Sequence, residues 1–164
     1  MLSFTADEIW LAMPHGADAD GRNVCLNDMP AADSQWALTP EEEARWDVLL
    51  RLRGEVNKAL ELARAEKLVG KPLDARVTLF VTGEAESLAA GLDEKELAQL
   101  CIVSELRVIP GPGQGMDSEN VGCLTVHVEP SDLPRCERCW THEDTVGKDP
   151  LHPTLCARCA AAVG

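Results

Sequence analysis

The sequence predicts an α+β chain in three parts, and three observations predict it. Apolar residues between positions 39 and 68 recur with the 3.6-residue period of a helix. From residue 75 the period drops to 2, the alternation of half-buried strands. The last thirty residues hold Cys136-Glu-Arg-Cys139 and Cys156-Ala-Arg-Cys159, two CxxC pairs with sixteen residues between them. The expected architecture is a helical segment with one long helix, a small three-stranded α+β unit, and a four-cysteine ribbon or knuckle. Its divisions are expected at residues 1–73, 74–130 and 131–164.

The first helix is expected to start at Thr5 as N-cap with Glu8 as its capping-box partner, and to end at Pro14 and Gly16. Ile9, Trp10 and Met13 fall on one stripe, and Phe4 is placed to staple onto Ile9. A helix so near the start, with aromatics to bury, reads as the end of a larger helical domain. Residues 14–39 carry Pro14, Gly16, Gly21 and Pro30 as breakers and read as an ordered, irregular connection.

Thr39-Pro-Glu-Glu42 is a strong helix start, and the helix is expected to run to about Leu68 with Gly70 as C-terminal cap and Pro72 beyond it. Gly54 is its weak point. Ala75–Val81 is expected as a strand, Asp93-Glu-Lys-Glu96 as the cap of a short helix through about Leu100, and 101–109 and 121–128 as two further strands. Cys101 and Cys123 are expected to pack there as small apolar residues. The stretch Pro110-Gly-Pro-Gly-Gln-Gly115 reads as a flexible loop. It is no phosphate cradle, since it lacks the Lys and Ser/Thr of a P-loop and no helix follows.

The cysteine spacing points to zinc. Two residues inside a tight turn let both sulfurs of a pair face one point, and sixteen residues bring the second pair back to it. Cys136, Cys139, Cys156 and Cys159 are therefore the expected ligands of one structural zinc ion per chain. Four thiolates leave no open position for water or substrate. Two disulfides fit poorly, because seven cysteines is an odd number and no signal peptide is evident. His142 and His152 lie in the loop and either could displace a cysteine as ligand, but with four cysteines already at the right spacing they are expected to serve its hydrogen bonding.

Composition bounds the rest. No stretch approaches the eighteen or more apolar residues of a membrane span, so a soluble cytoplasmic protein is expected. The formal charge of −13 argues at first against nucleic acid, but it is unevenly placed. Residues 1–40 carry six acids and one base, and 77–134 carry ten and two. Residues 41–76 and 135–164 are each balanced, with eight of each sign and four of each sign. A polyanion would lie on those two segments. In the first of them Arg51, Arg53, Lys58, Arg64, Lys67 and Lys71 are the candidates, with a solvated helix face as the blander reading. In the second, Arg135, Arg138, Trp140, Lys148 and Arg158 sit beside the cysteines and supply both the cations and the aromatic by which unpaired RNA is read. Trp140 could equally pack over the metal site.

Four segments carry a family resemblance: Ser3-Phe-Thr-Ala-Asp-Glu-Ile-Trp10, Leu52-Arg-Gly-Glu-Val-Asn-Lys-Ala-Leu60, Glu66-Lys-Leu-Val-Gly-Lys-Pro-Leu-Asp74, and the tail from Arg135-Cys-Glu-Arg-Cys-Trp140 to Leu155-Cys-Ala-Arg-Cys159. In order and content they resemble bacterial isoleucyl-tRNA synthetase. One departure is Met29, where the family usually has Trp. The resemblance implies the C-terminal piece of that enzyme: the end of the anticodon-binding domain, an α+β connection and a zinc-binding domain. The family joins isoleucine to its tRNA with ATP, using HIGH and KMSKS signatures that do not occur here. No catalytic site is expected, since His15, His127, His142 and His152 have no spaced partners. The implied partners are tRNA and the rest of the synthetase, without membrane or DNA, and the chain is expected to be monomeric. A purely structural zinc tail is the principal rival. A DNA-binding ribbon like that of base-excision glycosylases is a third reading, disfavoured by the acidic remainder.

Overall fold

The computed structural model describes residues 2–29, 31–83, 85–86 and 92–163. Pro30, read as a breaker, lies outside them. The chain divides into two compact units, residues 1–39 and 40–164.

In the first unit, helix α1 spans Ser3–Ala12. It starts two residues before the expected cap: Leu2 is the N-cap, no side chain caps it, and Thr5 lies inside the helix. Phe4 and Ile9 are both exposed, so the expected staple does not form. The irregular connection is ordered by polar bonds. Trp10 Nε1 donates to the Asp20 carbonyl at 3.0 Å, and Asn27 Nδ2 donates to the same oxygen at 3.0 Å. The Asp7 carboxylate accepts from Val24 N at 3.1 Å. Short 3-10 turns occupy Val24–Leu26 and Ser34–Trp36.

The second unit opens with α2, Pro40–Ala65. Glu41, Glu42 and Glu43 sit in its first turn and Arg64 in its last, complementing the helix dipole. It ends earlier than expected because Lys67 adopts a left-handed φ of 61°. Lys67 N then donates to Arg64 O at 2.9 Å and Leu68 N to Ala63 O at 2.9 Å, the paired bonds of a Schellman ending. Gly70 is not the cap.

Strand β1, Ala75–Val81, forms as expected. Helix α3, Glu94–Cys101, follows, and the Asp93 carboxylate accepts from Lys95 N at 2.8 Å and Glu96 N at 3.0 Å, the cap its sequence predicts. Strand β2 is Glu105–Pro110, β3 is Met116–Asp117 and β4 is Leu124–Pro130. The sheet thus has four strands in the order β2-β1-β4-β3, the fourth being the two-residue β3. β1 runs parallel to β2 and antiparallel to β4. Cys101 ends a helix and is buried, whereas Cys123 is exposed with a φ of 62° and does not pack in the core.

Alternation makes one sheet face apolar, and two helices cover it. Val77, Leu79 and Val81 of β1 join Leu106 of β2 and Val126 and Val128 of β4 in one core with Leu52, Val56 and Leu60 of α2 and Leu97 and Cys101 of α3. Burying each larger aliphatic stabilises the unit by about 1.5–3 kcal/mol. The loop from Gly111 to Gly115 is packed: a Cβ on Gly113 would strike the Phe80 ring, and one on Gly115 the Val126 carbonyl. Gly54 is different, since a Cβ there meets nothing within 4 Å. Gly54→Ala is therefore expected to raise stability by about 0.5–1 kcal/mol, read as a higher urea midpoint at unchanged slope; a lower midpoint would show a contact the structure lacks.

Candidate metal centre and nucleic-acid interface

Each CxxC pair is closed by local backbone bonds. Trp140 N donates to Cys136 O at 2.9 Å, and Cys136 N donates to Thr141 O at 3.0 Å. This tight return places Trp140 in the left-handed region, φ 65°, a strained setting for an aromatic residue. The second pair precedes and enters α4, Ala157–Val163, which Ala160 N joins to Cys156 O at 2.9 Å. Two bonds lock the pairs together: Glu137 N to Thr154 O at 3.1 Å, and Cys156 N to Cys136 Sγ at 3.3 Å.

The result brings all four sulfurs within 4.8 Å of one another, and Cys139 and Cys156 Sγ lie 3.8 Å apart. A tetrahedral ion with sulfur bonds of about 2.3 Å sets its sulfurs about 3.8 Å apart, so the site fits zinc. Cys136, Cys156 and Cys159 are fully buried and Cys139 half-buried. None of the seven cysteines is in a disulfide.

Electrostatics shows why this cluster wants a cation. Burial works against the Cys139 thiolate, but donors from Thr141 and the neighbouring cysteines outweigh it and bring the group down to about 6. Burial likewise opposes the Cys136 thiolate, and backbone N–H groups of Cys139, Cys156 and Arg138 outweigh it and lower its pKa. Burial pushes Cys156 up to about 12, with the adjacent thiols adding to the rise. Four sulfurs this close cannot all ionise unaided, whereas a bound divalent ion deprotonates coordinating thiols outright. Cys101, by contrast, is pushed up to about 11 by burial and is inert packing.

The terminal unit is seated on the sheet through His142. Its backbone N donates to Ser104 Oγ at 2.7 Å, and Ser104 Oγ donates to Leu73 O at 2.5 Å. His142 Nδ1 lies 2.7 Å from Leu133 O; a carbonyl only accepts, so Nδ1 carries the hydrogen. Below it, Arg76 gathers Glu105 at 3.1 Å, Glu129 at 3.4 Å and Asp132. These bonds join β1, β2 and β4 to the start of the terminal unit.

The five predicted RNA contacts, Arg135, Arg138, Trp140, Lys148 and Arg158, are all exposed around the cysteines. Trp140 is 54% exposed, so it does not fill the small core. Lys71 Nζ stands 5.4 Å from the centre of its ring. That juxtaposition was not legible in sequence, where Lys71 belonged to the end of α2. Lys148 pairs with Asp144 at 3.0 Å, and Arg138 Nη1 lies 3.5 Å from Cys159 Sγ. Among the α2 candidates, Lys58 is held by Glu119 at 2.6 Å and Arg64 by Glu61 at 2.8 Å, so these two sit in local pairs. Two basic residues that the sequence pattern does not single out, Lys95 and Arg107, the only Lys or Arg of the acidic stretch 77–134, line one cleft of about 450 Å³ with Arg158.

Residues 134–162 match the family described as a zinc finger found in FPG and IleRS. That description spans two kinds of protein; the longer matches distinguish them. Isoleucine–tRNA ligase of Geobacillus kaustophilus is 41% identical over 168 residues, covering 99% of this chain and 18% of its own length. The ligase of Desulfitobacterium hafniense is 39% identical over 167 residues, at 99% and 18%. That of Syntrophotalea carbinolica is 39% identical over 163 residues, at 99% and 17%. Along nearly its whole length, the chain is similar to a part of isoleucine–tRNA ligases. It spans less than a fifth of the length of these relatives. The zinc-finger match and the four-cysteine cluster together support a structural zinc ion in this isoleucine–tRNA ligase-like chain. Among the described residues, no helix is long and apolar enough to cross a membrane.

Proposed function

We propose that this chain is the tRNA-holding part of an isoleucine–tRNA ligase. Residues 1–73 would close a helical anticodon-binding domain, 74–130 form a connecting domain, and 131–164 a zinc-binding domain. The whole ligase would join isoleucine to its tRNA with ATP, and no catalytic step is assigned to this part. Cys136, Cys139, Cys156 and Cys159 would hold the zinc, which keeps the knuckles folded and does no chemistry of its own.

The observation that carries the reading is Trp140: a large aromatic on the tight turn that closes the first cysteine pair, 54% exposed, with Lys71 Nζ 5.4 Å from the centre of its ring. Such a ring offers a stacking face to an unpaired anticodon-loop base, and Arg135, Arg138, Lys148 and Arg158 offer charge to phosphates. A second reading, in which the terminal unit only braces the ligase, is favoured by the His142–Ser104 seat. Titrating tRNA against the protein at rising salt separates the two. Trp140→Ala is expected to weaken binding by about 1–3 kcal/mol, and log affinity to fall linearly with log salt. Absence of tRNA affinity at low salt, with zinc bound, would leave the bracing reading standing.

A further inference from the structure

Arg138 and Arg158 occupy the same position in the two pairs, the last residue before the second cysteine. The Arg138 guanidinium reaches the opposite pair. Its Nη1 donates to Cys159 Sγ at 3.5 Å. Arg138 is an exposed residue, yet Cys159 at the far end of the contact is fully buried. Four thiolates around a divalent zinc carry a net charge of −2. A guanidinium laid against one of the sulfurs offsets part of it.

We propose that Arg138 is a positioning residue that clamps a zinc-binding thiolate of the opposite pair and slows loss of the metal. A donor on a coordinated sulfur draws off some of its charge, so that sulfur is a poorer target for a proton arriving to displace the metal. Because the clamp runs from the first CxxC pair to the second, neither pair swings away from the ion without breaking it. The guanidinium has five donors, and one on sulfur leaves others pointing outward. The clamp also offsets part of a negative centre that would repel phosphate.

The inference rests on the metal centre, and its test separates the two. The purified chain is challenged with excess chromogenic chelator and zinc release is followed in time. Arg138→Ala is expected to release zinc about 10-fold faster, the lower end of what losing a residue behind a metal ligand costs. Arg138→Lys, which keeps charge without the fork, is expected to recover part of the loss. Arg135→Ala removes an adjacent exposed cation that touches no sulfur and is expected to leave the rate unchanged. Release within twofold of the parent in Arg138→Ala overturns the clamp. Equal acceleration in Arg135→Ala also overturns it, because net charge would then be the cause. A parent chain without stoichiometric zinc overturns the metal centre itself.

Discussion

Removing the metal with a chelator is expected to unfold residues 131–163 and leave α2 and the sheet folded. The terminal unit has its own core, separate from the main one: Cys136, Cys156 and Cys159 with Cys139, Val146 and Leu155 partly buried around them. Ordering each backbone residue costs about 1–2 kcal/mol, and two half-buried aliphatics cannot offset that over thirty-odd residues. Zinc supplies on the order of 10–16 kcal/mol of apparent folding free energy near neutral pH. Cys156→Ser is expected to act like the chelator, since it removes a fully buried ligand. Hydrogen exchange resolved by segment is the direct measurement. Protection should vanish from 131–163 and persist in Ala75–Val81 and Leu124–Pro130. If the terminal segment keeps its protection without metal, then the His142, Ser104 and Arg76 bonds hold it, and zinc is not the staple.

The metal centre was legible in sequence because its determinant is a spacing. The cap at Asp93 was legible for the same reason: a short polar side chain three residues before Glu96 has only the helix N–H groups to bond. What could not be read was decided by packing. Cys101-Ile-Val103 looks like the start of a strand, yet Cys101 completes the buried face that Leu97 and Ala98 begin, and Ile102 turns left-handed with φ 58° to end α3. Strand propensity yields there to the core. At Lys67 a residue with no turn signature takes the left-handed cap, because the following Leu68 N–H finds the Ala63 carbonyl. β3 is two residues long and has no pattern of its own. The approach of Lys71 to Trp140 joins positions nearly seventy residues apart, which no local pattern encodes.

Glu55 is the other group whose loss should be felt, and its effect depends on pH. It sits in the middle of α2 among apolar neighbours and is 1% exposed. Its carboxylate accepts from Glu119 N at 3.1 Å and from the Asn120 side chain, tying the helix to the turn before β4. Burial pushes its pKa up, but the donors from Asn120, Glu119 and Ser118, with Lys58 nearby, outweigh burial and hold it below the ordinary 4.5. The folded state therefore binds this proton more weakly than the unfolded chain does. The stabilisation is fully present above about pH 4.5 and is lost as pH falls through the lower folded value. Glu55→Ala leaves two donors without an acceptor and opens a gap, and should cost about 2–4 kcal/mol at pH 7. Glu55→Gln keeps the volume but turns an amide NH₂ toward one donor, at about 1–3 kcal/mol, and it removes the titration. Urea midpoints at pH 7 and pH 3 check this, measured with chelator present so that acid release of zinc does not enter. The parent should lose more stability between those pH values than Glu55→Gln does. Equal losses would mean that the acid sensitivity of the core arises at other carboxylates.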